Sequence, residues 1–180
     1  MKQHHVFSFL QRMGKSFMLP IAVLPVAGIF LGVGSSLTNE TTIAALHLES
    51  VLGQGTFLYS VLILLKQVGK VLFDNLPLIF AVSIALGMSK RRKEVAALAA
   101  IIAFFVMHAT INTLLCLDGS IVNGVVSNYI LDGSITSVCG MLSLEMGVFG
   151  GIVVGLGVSY LHNHFYQIQL PNVISFYEGE

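Results

Sequence analysis

Asp74 and Asn75, in the stretch Phe73-Asp-Asn-Leu-Pro-Leu-Ile-Phe80, are the residues of this sequence best placed to do chemistry. A carboxylate, a carboxamide and the backbone break at Pro77 interrupt a run otherwise apolar enough to cross a bilayer. Polar groups at that depth are costly unless protein or a water-filled cavity covers them. Lys66, Lys70 and Asp74 recur every four residues and share one helix face. Two readings fit this face. In one, both lysines snorkel outward and Asp74 pairs with Lys70; in the other, the stripe lines a path for a solute. His108 and Asn112, again four apart, pose the same choice between helix–helix hydrogen bonding and contact with a solute or proton.

Other chemistries find little support. Cys116 and Cys139 are the only cysteines, and no CxxC, zinc or haem spacing occurs. A disulfide between them stands beside the reading as two packed thiols. His4-His5 and His162-Asn-His164 lack the acidic or cysteine company of a metal site and read as headgroup-level histidines. Gly155-Leu-Gly157 lacks the third glycine of a dinucleotide loop and sits in an apolar run. No nucleophile–base pair and no phosphate loop appears, so no catalytic residue, cofactor or metal is expected. Lys90-Arg91-Arg92-Lys93 is a dense cationic run, but it lies between apolar segments, and a formal net charge of zero offers no basic face for nucleic acid.

The elements that must position these residues follow from composition. Hydrophobic residues make up 55% of the 180 and charged ones only 10%, against about 25% charged in a soluble domain. The expectation is an all-α, polytopic membrane protein with about four transmembrane helices, at 18–37, 57–89, 95–116 and 139–161. A short amphipathic helix is expected before them, with Val6, Phe7, Phe9 and Leu10 among basic residues. The run 18–37 spans about 30 Å as a helix and is longer than a signal-peptide core, so it reads as a span rather than a cleaved leader. Segment 57–89 is too long for one simple crossing, and its first part could instead lie flat at the interface. The cations at 90–93 place that loop in the cytoplasm. Segments 38–55 and 117–136, which hold acids and no Lys or Arg, are then external loops, and both termini are cytoplasmic. Gly147, Gly151 and Gly155, with Gly28 and Gly32 on the first span, form small-residue stripes suited to helix packing or dimer contact.

Three blocks carry a resemblance. Leu10-Gln-Arg-Met-Gly-Lys-Ser-Phe-Met-Leu-Pro-Ile-Ala-Val-Leu-Pro-Val-Ala-Gly-Ile29 comes first. Phe73-Asp-Asn-Leu-Pro-Leu-Ile-Phe-Ala-Val82 with Ala85-Leu-Gly-Met-Ser-Lys90 is the second. Gly147-Val-Phe-Gly-Gly-Ile-Val-Val-Gly155, then Phe165-Tyr-Gln-Ile-Gln-Leu-Pro171 and Phe176-Tyr-Glu-Gly179, is the third. In order and spacing these resemble the N-terminal half of the membrane (IIC) domain of phosphotransferase-system sugar permeases of the glucose/maltose/N-acetylglucosamine type.

The resemblance implies uptake of a sugar coupled to its phosphorylation, with a phosphorylated IIB domain or protein as donor and a homodimer in the cell membrane. It implies that this half is scaffold and dimer surface, while most sugar ligands lie in a second half. On that basis the chain to Glu180 is expected to be a fragment, inactive alone. Asp74, Asn75, His108 and Asn112 stay as weak candidates for substrate contact. Two competing expectations remain: a membrane interaction module that dimerises with and modulates a full permease, and a small self-contained transporter.

Overall fold

The structure, a computed structural model, describes residues 2–166, with side chains from Phe7 onward. His4 and His5, most of the C-terminal tail, and the parts of the third sequence block at 167–171 and 176–179 lie outside the described side chains or residues.

Helices α1 (Lys2–Ser16) and α2 (Met18–Leu37) run on as one apolar helix from Phe7 to Leu37, 31 residues long. At 1.5 Å per residue it extends about 46 Å, so the expected entry helix and first span are continuous. The segment expected as a plain loop carries α3 (Glu40–Ala45), capped by the Asn39 side chain on Thr41 N at 3.0 Å, and the single turn α4 (Glu49–Leu52). Ile43 and Leu52 pack with Leu62 of α5 (Phe57–Asp74), which begins at the Thr56 cap. Helix α5 lies antiparallel to α2, drawn close by two glycines. A Cβ on Gly34 would stand 2.6 Å from Lys66 Cβ, and one on Gly69 would stand 2.5 Å from the Leu31 nitrogen.

Helix α6 (Leu76–Met88) follows directly and is bent 54° from α5. It is apolar on every side because every side is covered. Leu76, Phe80, Ile84 and Met88 pack against Phe17, Val148 and Ile152, while Ala85 packs with Ala96 and Ala100 of α7 (Lys93–Leu117). Beyond α7, whose end is closed by Asp118 Oδ1 accepting from Ser120 N at 2.8 Å, the chain makes two antiparallel hairpins. The first joins β1 (Ile121–Val122) to β2 (Val125–Val126), and the second joins β3 (Ile135–Val138) to β4 (Met141–Leu144). Helix α8 (Gly147–Phe165) then packs along α6.

The second hairpin corrects the segment expected as helical from Cys139. Residues 139–146 are not helical; Cys139 and Gly140 form the turn, with φ of 49° and 83°. Positive φ at both central positions is what a two-residue hairpin turn demands, because it matches strand twist. Among the described residues two helices are long and apolar enough to cross a membrane, Phe7–Leu37 and Lys93–Leu117, and the bent α5/α6 pair makes a third if it counts as one broken span. Helix α8 falls outside that set, since its last turn carries His162, Asn163 and His164.

The glycine stripes divide in use. Gly151 abuts the Pro77 carbonyl, and a Cβ on Gly155 would stand 2.7 Å from Ala81 O, so both serve packing of α8 on α6. Gly147 sits at the helix start with φ of 50°. Gly28 and Gly32 meet nothing within 4 Å. Gly151→Ala should therefore destabilise the chain by about 1–3 kcal/mol or more, the cost of overpacking against backbone. Gly28→Ala should change stability by less than about 0.5 kcal/mol. Unfolding of both variants in detergent checks the contrast.

Candidate functional site

The site grows from the break between α5 and α6. Pro77 has no N–H to give the Phe73 carbonyl, but in the first turn of α6 its fixed φ suits a helix start. Asn75 joins the two helices. Its backbone and its side-chain amide both donate to Val71 O, at 3.2 and 2.8 Å, while its own carbonyl accepts from Ile79 N at 3.1 Å. Val71 O thus keeps its ordinary helical bond and gains a second donor, while the Asn75 N–H is also shared with Phe73 O, the carbonyl that Pro77 leaves without its usual donor.

The break lies about midway along the length of α7. Helix α6 rises about 20 Å from the basic loop at 90–93, whereas α7 rises about 37 Å from the same loop. The β3–β4 hairpin covers the difference, and two α7 side chains hold it there. His108 is buried, with Nδ1 2.7 Å from Ser143 Oγ and its ring 4.5 Å from that of Phe104. Asn112 Nδ2 donates to Leu142 O at 2.7 Å. The expected bonding partner of this pair, another helix, is replaced by a hairpin.

Between the hairpin, the break and the start of α8 lies a cavity of about 550 Å³. Lys70, Asp74, Asn75, His108, Cys139 and Glu145 line it, together with the first turns of α6 and α8. Asp74 and Lys70 pair at 2.7 Å with side chains 52% and 58% exposed, so the paired reading and the lining reading of Asp74 describe the same geometry. An ion pair this exposed contributes about 0–1 kcal/mol. Lys66 stays at the α2–α5 contact and Asn112 stays behind the hairpin; neither lines the cavity.

Glu145, which falls inside the segment expected as the span 139–161 and was not singled out there, also lines the cavity. Its carboxylate accepts from Gly147 N at 3.0 Å and from the Thr136 hydroxyl, at the N-terminus of α8 where negative charge is favoured. Cys139 Sγ donates to Asn75 Oδ1 at 3.4 Å. Both cysteines are free thiols, which settles against the disulfide: Cys116 is exposed near the end of α7 while Cys139 is engaged at the hairpin turn.

The opposite end is closed by α8. Asn163 Oδ1 accepts from Lys90 N at 2.8 Å and its amide donates to Met88 O at 3.0 Å. His162 Nε2 lies 2.8 Å from Arg91 O, and His164 stacks on Tyr160 with ring centroids 6.4 Å apart. These histidines position the basic loop and the last turn of α8, a role that the headgroup-level reading did not include.

Ser143→Ala should cost about 1–3 kcal/mol, because it strips a buried group of its partner. The loss should appear as faster amide hydrogen exchange across 135–144 with α2 and α5 unchanged. Asp74→Asn should stay within about 1 kcal/mol of the parent; larger losses in unfolding experiments would show a stronger structural ion pair than its exposure allows.

Residues 14–180 match the family model described as phosphotransferase system, EIIC. The chain is similar to the PTS system glucose-specific EIICBA component of Staphylococcus saprophyticus, with 37% identity over 175 residues, 97% of this chain. That alignment covers 24% of the relative's length.

Proposed function

The chain belongs to the phosphotransferase-system EIIC family, and from that premise we propose that it supplies part of a permease for a glucose-type sugar. The observation that carries this reading is the polar cavity at the α5/α6 break. Two helix starts meet there, and two carboxylates and a carboxamide line it. Discontinuous helices whose ends face a midplane cavity suit a solute path, because irregular backbone is tolerated only where protein or water satisfies it. Carboxylates and amides are also the groups that hydrogen-bond sugar hydroxyls.

In this reading the chain is multi-pass in the cell membrane, with the basic loop at 90–93 in the cytoplasm and the cavity toward the opposite face. The sugar is phosphorylated by a IIB partner, a reading supported by the EIICBA name of the relative. The relative covered here to about a quarter of its length is named for its glucose specificity, which favours glucose over maltose as the substrate. With four lining candidates for substrate contact, Asp74, Asn75, His108 and Glu145, the chain does not complete uptake alone.

A second reading, association with another copy or with a full permease, is favoured by one observation: Gly28 and Gly32 face open space on α2. Gly151 is unsuitable for testing it, because substitution there disturbs α6 packing first.

In a Cys116→Ser background, a membrane-impermeant maleimide added outside intact cells should label Cys139. Labelling seen only after permeabilisation would reverse the proposed orientation. The chain expressed in a permease-deficient cell should leave glucose uptake at background, and restored uptake would overturn its assignment as part of a larger permease.

A further inference from the structure

A second groove, of about 750 Å³, lies at the basic end between α1, the end of α6 and α8. Arg12, Lys90 and His164 supply its cationic and titratable groups, and Phe9, Leu156 and Tyr160 its apolar walls. We propose that it binds the phosphodiester headgroup of an anionic membrane lipid, with the apolar walls receiving the first part of an acyl chain.

The cations stand on fixed backbone. Ser16 Oγ donates to Arg12 O at 2.8 Å, and Ser16 packs against Gly87, where any side chain would collide with it. That contact docks α1 on α6 and places Arg12. Lys90 is placed from the other side by Asn163, which holds both Lys90 N and Met88 O. The same amide occupies a terminal carbonyl of α6, which would otherwise present negative charge to the groove. Among the described residues neither Arg12 nor Lys90 is paired with a carboxylate. Two positioned cations without acidic partners beside apolar walls match a ligand with one negative charge next to hydrocarbon. Basic pockets between membrane helices take lipid headgroups for this reason. Phe9 belongs to the apolar helix Phe7–Leu37, so the hydrocarbon side of the groove is continuous with a surface suited to lipid.

The test is native mass spectrometry of the purified full chain with phosphatidylglycerol or phosphatidylcholine added at equal concentration. Phosphatidylglycerol should be retained preferentially. Arg12→Gln and Lys90→Gln should each weaken its retention about fivefold, the effect expected of one cation near a lipid surface. Thermal unfolding in detergent, unchanged in both variants, verifies that the fold survives. Should either variant unfold early, Arg12→Lys and Lys90→Arg, which keep the charge, must retain the lipid. Equal retention of the two lipids, or undiminished retention in the Arg12→Gln, Lys90→Gln double variant, overturns the proposal. Displacement of phosphatidylglycerol by equimolar glycerol 3-phosphate also overturns it, since the groove would then recognise a soluble phosphate ester and the apolar walls would play no part.

Discussion

The structure depends on how the backbone at Asn75–Pro77 finds hydrogen-bond partners away from water. An unpaired peptide group in hydrocarbon costs several kcal/mol, and a proline in mid-helix always leaves at least one. Here the Asn75 N–H is shared between Val71 O and Phe73 O, the carbonyl Pro77 deprives, and the new helix starts with Pro77 in the turn where no N–H is needed. That repair creates a second demand, because it exposes the start of a helix about midway along the length of α7. The β3–β4 hairpin meets it, and the hairpin in turn needs Ser143 and Leu142 held by His108 and Asn112. Close approach of α8 to Pro77 is then permitted only by glycine at 151. The sequence elements that look unrelated along the chain are successive answers to one local deficit.

The two layers of the bundle use glycine for different ends. Between α2 and α5, Gly34 and Gly69 bring two long helices together where a polar residue, Lys66, must pass between apolar ones. Between α6 and α8, Gly151 and Gly155 bring backbone against backbone, so that carbonyls of α6 sit beside the α8 surface. In lipid there is no hydrophobic gain from pairing apolar helices, and close van der Waals contact of this kind is what holds them. Gly28 and Gly32 belong to neither contact, although their spacing is the same. Spacing alone marks a surface that could pack, and only the fold decides which ones do.

Much of the fold was legible because long apolar runs have few alternatives. The helix at 18–37, the break at Asn75 and the helix through His108 are where the composition put them. The hairpins were not legible in the same way. Val122-Asn123-Gly124-Val125 holds an Asn-Gly pair between β-branched residues, the strongest short hairpin signal, yet it lay inside a segment already read as a polar loop. Cys139-Gly140 was harder, since Ile135 to Leu144 merges into the apolar run of α8 and its alternation is masked. His108 and Asn112 were rightly placed on one face, but a helix face does not reveal whether the opposing group is a helix, a strand or a solute. Glu145 was missed because a carboxylate near the end of a span has an ordinary explanation, and only the hairpin turns that end into a cavity wall.

The arrangement also constrains where this molecule can move. Helices α6 and α8 start together beneath the hairpin and end together at the clamp that Asn163 and His162 make on the basic loop. Glycine-mediated backbone contact along most of α6 leaves no room for the two to slide, because packed interiors respond to displacement by repacking rather than by gradual deformation. The hairpin is different: the side-chain bonds that tie it to α7 are those of His108 and Asn112, and its turn is strained at Cys139. Its seat is nonetheless buried: Ile135, Val138 and Ser143 are covered, Val138 packs with Ala81, Phe104 and Val154, and Cys139 reaches Asn75. The cavity is thus walled by the hairpin and by the joint at Asn75, the two places where the regular helical backbone is interrupted.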